Sequence, residues 1–350
     1  MARSGLATRF ATRLVRLALG VGVVAALLAA ALAMANPAAA QPAPPLDFVT
    51  IGAPGNRATI PSEVPSNPGL EIGAVAYEFR LTRTEATVEQ YAHFANAYLR
   101  WNPQRAMDSE VWGRFLGPTG DGRVQYLPEY AHYPVQLSWR MAARWCNWLH
   151  NEQADRADAF ENGAYDTSTF VTTPSGLPLD QSTRSPTARF WIPSRDEWTK
   201  GAYYDPHRYG PGAGGYWLYP HRSNDEPRSG LSSLGGQTNA GEGVPVEFAS
   251  MNVGSYPDVQ SAWGLLDLSG GASEWSEWTV LTSRDRVGMG STYRDFGYTT
   301  TDQIAASSFA GAPWTTPFGL RVASVIPAPS VLVVVSAWGM HVFARTRRTP

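Results

Sequence analysis

Only three stretches of this 350-residue chain carry a helical period, and the segments between them are crowded with glycine and proline. Thr87 stands three residues before Gln90, the spacing of a capping box, and Tyr91, Phe94, Ala95 and Tyr98 then share one face. Ser138 opens a second helix whose apolar stripe is Met141, Trp145, Trp148 and Leu149. Ser194 with Glu197 makes another capping box, opening a short helix through Trp198 that should end by Gly201. Ser175 to Ser185 and Tyr209 to Gly215 have no periodicity. With 33 Gly and 27 Pro beside 13 Trp, 15 Tyr and 13 Phe, the composition is that of a loop-rich globular domain with an aromatic core, not of a disordered chain.

Strands are predicted at Phe48–Ile51, closed by Gly52 and the Pro54-Gly55 turn, and at Ala74–Leu81, where apolar and polar residues alternate. No internal repeat, coiled coil or composition break divides residues 48–325, so one domain is expected there. A net charge of -2 with 17% charged residues gives no electrostatic reason to expect nucleic acid or an anionic membrane as partner.

Both ends read as addresses. Arg3, Arg9, Arg13 and Arg16 precede an apolar run from Leu17 to Ala35, and Ala38-Ala39-Ala40 offers a small-residue cleavage site. Residues 1–40 are therefore expected to be a secretory signal peptide, with an uncleaved anchor as the alternative, since the run is long enough to span a bilayer. Residues 41–47 form a Pro-rich spacer. After Ile326-Pro327-Ala328-Pro329-Ser330 come an apolar stretch, Val331 to Ala344, and then Arg345, Arg347 and Arg348. That order in residues 326–350 resembles the PEP-CTERM sorting signals of bacterial exosortases, with Pro-Ala-Pro in place of the usual Pro-Glu-Pro. A tail anchor with an arginine stop is the other reading. The expected location is the cell surface or medium, with the membrane touched only through the terminal segments.

Six segments, taken in order, resemble one family. They are Tyr77–Thr87 ahead of Tyr91 and Phe94, Pro134–Trp139 with Cys146-Asn147-Trp148-Leu149, Trp191–Trp198, Tyr216–Pro220, Trp263–Trp275 and Phe318–Ser324. This set is similar to the formylglycine-generating enzyme or sulfatase-modifying-factor family. The resemblance implies an α+β fold related to C-type lectins, with little regular secondary structure, in a single domain.

It also implies what chemistry is missing. Family oxidases bind copper through two cysteines a few residues apart, shortly before the closing "GFR". Counting back from Gly319, those positions fall near Tyr298 and Gln303, and neither supplies the soft thiolate that Cu(I) requires. Ser273 replaces a pocket tryptophan, and Met289-Gly290-Ser291 lacks the arginine of "RGGS". Copper chemistry is therefore not expected. Cys146 is the sole cysteine, excluding an intrachain disulfide, and is expected in the core. His93, His132, His150, His207 and His221 show no paired metal-ligand spacing.

Calcium is the ion that the resemblance favours. Carried over residue by residue, its ligands would be the Asp267 side chain, the Gly270 and Ala272 carbonyls, and Glu274: hard oxygen donors in a tight loop. Gly271 stands where the family has Asn. The competing reading has Asp267 capping a turn and Glu274 paired with an arginine. A second, less complete site would begin at Asn239 and the Ala240 carbonyl. Among Trp191, Trp198, Tyr203, Tyr204, Tyr216, Trp217, Tyr219, Trp263, Trp275 and Trp278, core is the default, and a carbohydrate or peptide groove the alternative. Two functions stay open: a non-catalytic surface or binding module, or a family enzyme with a divergent active site.

Overall fold

The computed structural model describes residues 44–240, 251–293, 302–306, 310–315 and 317–327. The signal-like residues 1–40, Tyr298 and the sorting-type stretch from Ala328 onward lie outside the described residues. Among those described, no helix is long and apolar enough to cross a membrane.

Regular structure is sparse and mixed, the α+β class that the sequence implies. The strands are β1 (Phe48–Ile51), β2 (Phe79–Thr82), β3 (Leu116–Pro118), β4 (Val124–Tyr126), β5 (Phe190–Trp191), β6 (Tyr204–Asp205), β7 (Gly215–Tyr216), β8 (Glu274–Thr279), β9 (Arg286–Met289), β10 (Ala310–Gly311) and β11 (Ala323–Ser324). The helices are α1 (Val88–Trp101), α2 (Trp139–His150) and α3 (Arg195–Tyr203). An antiparallel sheet of order β1-β2-β11-β5 joins the two ends of the domain, with Leu81 opposite Ala323 and Ala323 opposite Trp191. A second sheet, β10-β9-β8, carries the segment after residue 273.

Local chemistry sets the helices. The Thr87 side chain accepts the Gln90 amide of α1 while Gln90 returns a bond to the Thr87 amide; Ser194 and Glu197 do the same for α3. Ser138 caps α2. The expected faces of α1 and α2 are buried and meet each other. Phe94 stacks on Trp145 at 5.6 Å, and Tyr91 lies 5.8 Å from the same indole. Each such fully buried aromatic removes enough apolar surface to stabilise by about 1.5–3 kcal/mol, which lets short elements hold a large domain.

Two boundaries differ from expectation. The strand expected at Ala74–Leu81 pairs only from Phe79. Gly73 has φ +86 with the Tyr216 ring where a Cβ would sit, and the Val75 carbonyl takes the Gly55 amide, so this stretch closes a turn instead of a ladder. Helix α3 passes Gly201 and ends at Tyr203. A Cβ on Gly201 would lie 2.5 Å from Leu81 Cδ1, so this glycine allows α3 to press on β2 and is not a stop signal.

Candidate functional site

The site grows from the loop between Asp267 and β8. Asp267 has φ +56, Gly270 +84 and Gly271 +62, so the loop coils through left-handed conformations that Asp tolerates and Gly prefers. Three consecutive amides are then held by side chains from elsewhere. Gly270 N–H donates to Ser291 Oγ (2.7 Å), Gly271 N–H to Asn239 Oδ1 (2.7 Å), and Ala272 N–H to Glu85 Oε1 (2.6 Å). A Cβ at Gly271 would stand 2.6 Å from Glu85 Oε2, which explains glycine at that position. Glu85 precedes α1, and its role as the third anchor of this loop has no periodic signature in the sequence.

Glu274, at the start of β8, is paired with Arg321. The guanidinium gives Nη2 to Glu274 Oε1 (2.7 Å) and Nε to both oxygens (3.0 Å). Nη1 reaches the Thr82 and Arg83 carbonyls (2.6 and 2.8 Å), and Nη2 also reaches Leu266 (2.8 Å). Trp198 Nε1 donates to Glu274 Oε2 at 2.5 Å. Arg321 belongs to the closing "GFR"-like segment, and its place at the centre of the site was not read from the sequence.

Glu85 and Asp267 feel the charge of the same arginine, though only Glu274 is paired with it. Burial, reinforced by the charges of Asp267 and Glu274, raises the Glu85 pKa well above the ordinary carboxylate value. Burial likewise pushes Asp267 up to about 6, against the Gly254 amide that donates to its Oδ2 (2.7 Å). Glu85, Asn239, Asp267 and Ser269 border a cavity of about 20 Å³, room for one water or ion. Of the groups expected to hold calcium, Asp267 Oδ1 and the Gly270 and Ala272 carbonyls accept no hydrogen bond among the described residues. They suit a hard cation, whereas Glu274 is engaged by Arg321 and Trp198. Asn239 is brought to the same loop through Gly271, and Ala240 is buried. Residues 241–250 lie outside the described residues. Among the described residues no three His, Cys, Asp or Glu side chains gather as an ion site.

The oxidase positions offer no thiolate. Gln303 donates its amide to the Tyr219 hydroxyl (3.1 Å), and Ser273 donates to the Gly290 carbonyl (3.0 Å). Cys146 is fully buried in α2, and burial raises its thiol pKa well above normal, so it is not a nucleophile. His150 Nδ1 accepts the Arg189 amide, a structural task. Trp191, Trp198, Tyr203, Tyr204, Tyr216, Tyr219 and Trp275 are buried, as core residues are, and Trp217, Trp263 and Trp278 are partly exposed.

A family model described as "Sulfatase-modifying factor enzyme 1-like domain" matches residues 71–299. Solved structures similar to the chain include one titled "Crystal Structure of CarF", 18% identical with a TM-score of 0.47, covering 81% of this chain and 99% of that one. Another is Treponema denticola variable protein 1, 14% identical with a TM-score of 0.44, covering 79% and 94%. No curated protein matches the sequence.

Proposed function

The chain belongs to the sulfatase-modifying factor enzyme 1-like family, and from that premise we propose that it works as an exported, non-catalytic surface or binding module. One observation carries this reading: a chain with a single cysteine, sunk in α2 with its thiol pKa raised, has no thiolate pair to bind copper and activate oxygen. Export rests on the signal-like order of residues 1–40. Retention and release rest on residues 326–350, whose motif, apolar run and arginine cluster would be handled by exosortase-type machinery. Val325 and Ile326, just past β11, are exposed, as a stretch open to processing would need to be.

A structural calcium ion at the 267–274 loop is part of the same proposal, held by Asp267 and the Gly270 and Ala272 carbonyls. Its task would be to offset the surplus acid and stiffen the loop. Glu274, bonded to Arg321, would then serve the site chiefly by anchoring β8.

Incubating the purified protein with a cysteine-containing sulfatase peptide, copper and oxygen should yield no aldehyde product. Formation of formylglycine would overturn the non-catalytic reading. Intact mass of the protein from its native host should show a start near Gln41 and no Arg345–Pro350 tail; a retained tail would defeat the sorting assignment.

A further inference from the structure

Ahead of β3 the chain turns sharply from Gly113 to Leu116, closed by the Leu116 amide on the Gly113 carbonyl at 3.2 Å. The third residue of that turn is Phe115, with φ +71. A turn of this kind favours glycine there, and a bulky side chain costs about 1–3 kcal/mol, a strain that persists only where the surroundings fix it. The surroundings do hold it. The Phe115 ring lies 4.7 Å from Tyr130 and 5.5 Å from Tyr133, and the Arg114 amide is fixed by the Gln136 carbonyl at 2.7 Å. Gly113 is pressed so closely on the segment before α2 that a Cβ would meet Val135 at 2.6 Å.

The strained turn presents one side chain. Arg114 lies with its guanidinium 4.8 Å from the Phe115 ring and 4.9 Å from that of Tyr293. Nη1 donates to the Tyr293 hydroxyl and to Gln136 Oε1. Nε and Nη2 donate no hydrogen bond among the described residues, and Arg114 is partly exposed. No carboxylate pairs with Arg114 among the described residues, in contrast to Arg184 and Arg321. Arg114 lines an open groove of about 490 Å³ with Ser109, Trp112, Phe115, Leu116 and Gln136. That volume is in the range of small-ligand sites, about 300–1,000 Å³.

A guanidinium set beside two rings, with a two-donor edge unspent, matches the geometry of a carboxylate, and aromatic walls match a ring-shaped body. We propose that this groove binds a small carboxylate carried on a ring, with the acid on Nε and Nη2 of Arg114 and the ring against Trp112 and Phe115. The assignment rests on the binding-module reading and names its ligand class. A uronic acid and an arylalkyl acid share this chemistry, and the test separates them.

The protein is titrated with glucuronate and with 3-phenylpropionate, following tryptophan fluorescence, with glucose and 3-phenylpropanol as partners lacking the acid. At least one acid should bind at millimolar concentration or below, about tenfold or more tighter than its uncharged partner. Arg114→Gln should erase that preference, and Arg114→Lys should weaken it, because it keeps the charge without the planar fork. Phe115→Gly removes the aromatic wall together with its strain and its Tyr130 and Tyr133 contacts, so it should weaken binding. No binding of either acid, equal binding of acid and uncharged partner, or undiminished binding by Arg114→Gln or Phe115→Gly would overturn the site. Such a result leaves the non-catalytic reading standing, since only an aldehyde product, which this titration does not measure, removes it.

Discussion

Arg321 and Arg184 both bring a positive charge into the interior, and the chain around each answers differently. Arg321 is fully buried and saturated, by Glu274 and by carbonyls from β2 and the 267 loop, while two further acids, Glu85 and Asp267, gather beside it. Arg184 is one-fifth exposed and sits between Glu197 and Glu277, at 2.8 and 3.1 Å. There, as around Arg321, the acids have neutral donors too. Tyr77 and Trp191 donate to Glu197, and Tyr165 donates to Glu277. Burial, with Glu197 adding to it against Arg184, pushes Glu277 up to about 7, so this cluster can shed surplus charge by holding a proton. The difference is one of closure. Both clusters can absorb surplus charge by protonation, Glu277 in one and Glu85 and Asp267 in the other, but only around Arg321 does the surplus also face a cavity of ionic size.

The largest expected effect comes from removing the arginines. Arg321→Met strands Glu274 without its cation and takes a donor from the Thr82, Arg83 and Leu266 carbonyls, of which Arg83 keeps the Leu266 amide, for a cost of about 3–5 kcal/mol. Arg184→Met should cost roughly 1–3 kcal/mol, because Glu277 can take a proton and Glu197 keeps Tyr77 and Trp191. Urea midpoints of the two variants measure this. Equal losses would break the contrast between a saturated and a relieved cluster.

Next in size is the response to calcium. An ion at the 267–274 loop stabilises by mass action, about 2.7 kcal/mol when free ion stands a hundredfold above its dissociation constant. Chelation should lower the melting temperature and added calcium restore it. Asp267→Asn should abolish that response, and Glu277→Gln in the other cluster should keep it. A chelated, metal-free protein that melts where the untreated one does would end the proposal. Asp267 serves this test better than Glu274, whose replacement also breaks the bond to Arg321.

How much of this was legible in the sequence depends on the range of the interaction. Capping boxes, helix stripes and the first strand are local, and Thr87, Ser194, Trp145 and Phe48 announce them within a few residues. Glu197 was legible as a cap and not as a partner of Arg184, because the second role depends on a contact 13 residues away across an irregular loop. Glu85 and Arg321 were seen only as letters of a family pattern. The contacts that give them a task, to Ala272 and Glu274, span 187 and 47 residues and obey no period. Gly201 misled for a related reason: a glycine read locally is a stop, and only β2 beneath it makes it a packing device. The Arg114 groove left no trace, since a strained Phe115 is a property of backbone angles.

The smallest effect is the pH response of Glu277, and it probes whether the Arg184 cluster is relieved by a proton. In the unfolded chain this carboxyl has a pKa of 4.5, and in the folded chain burial raises it to about 7. Between those values the native state holds a proton that the unfolded state has released, so the contribution of Glu277 to stability is full below pH 4.5 and is lost as pH rises through 7. Each pKa unit is worth about 1.4 kcal/mol, but Arg184 and Tyr165 adjust around the charged form, leaving an effect on the order of 1 kcal/mol. For a domain of this size that is a melting shift of about 2–4 °C. Glu277→Gln cannot titrate, so it should lose this part of the decline between pH 5 and 8, whatever its absolute stability. Glu85 and Asp267 titrate in the same direction and keep a residual slope in the variant, so the informative quantity is the difference in slope between the two proteins. Identical slopes would mean that Glu277 is ionised throughout, and that the Arg184 cluster holds two full carboxylates as tightly as Arg321 holds one.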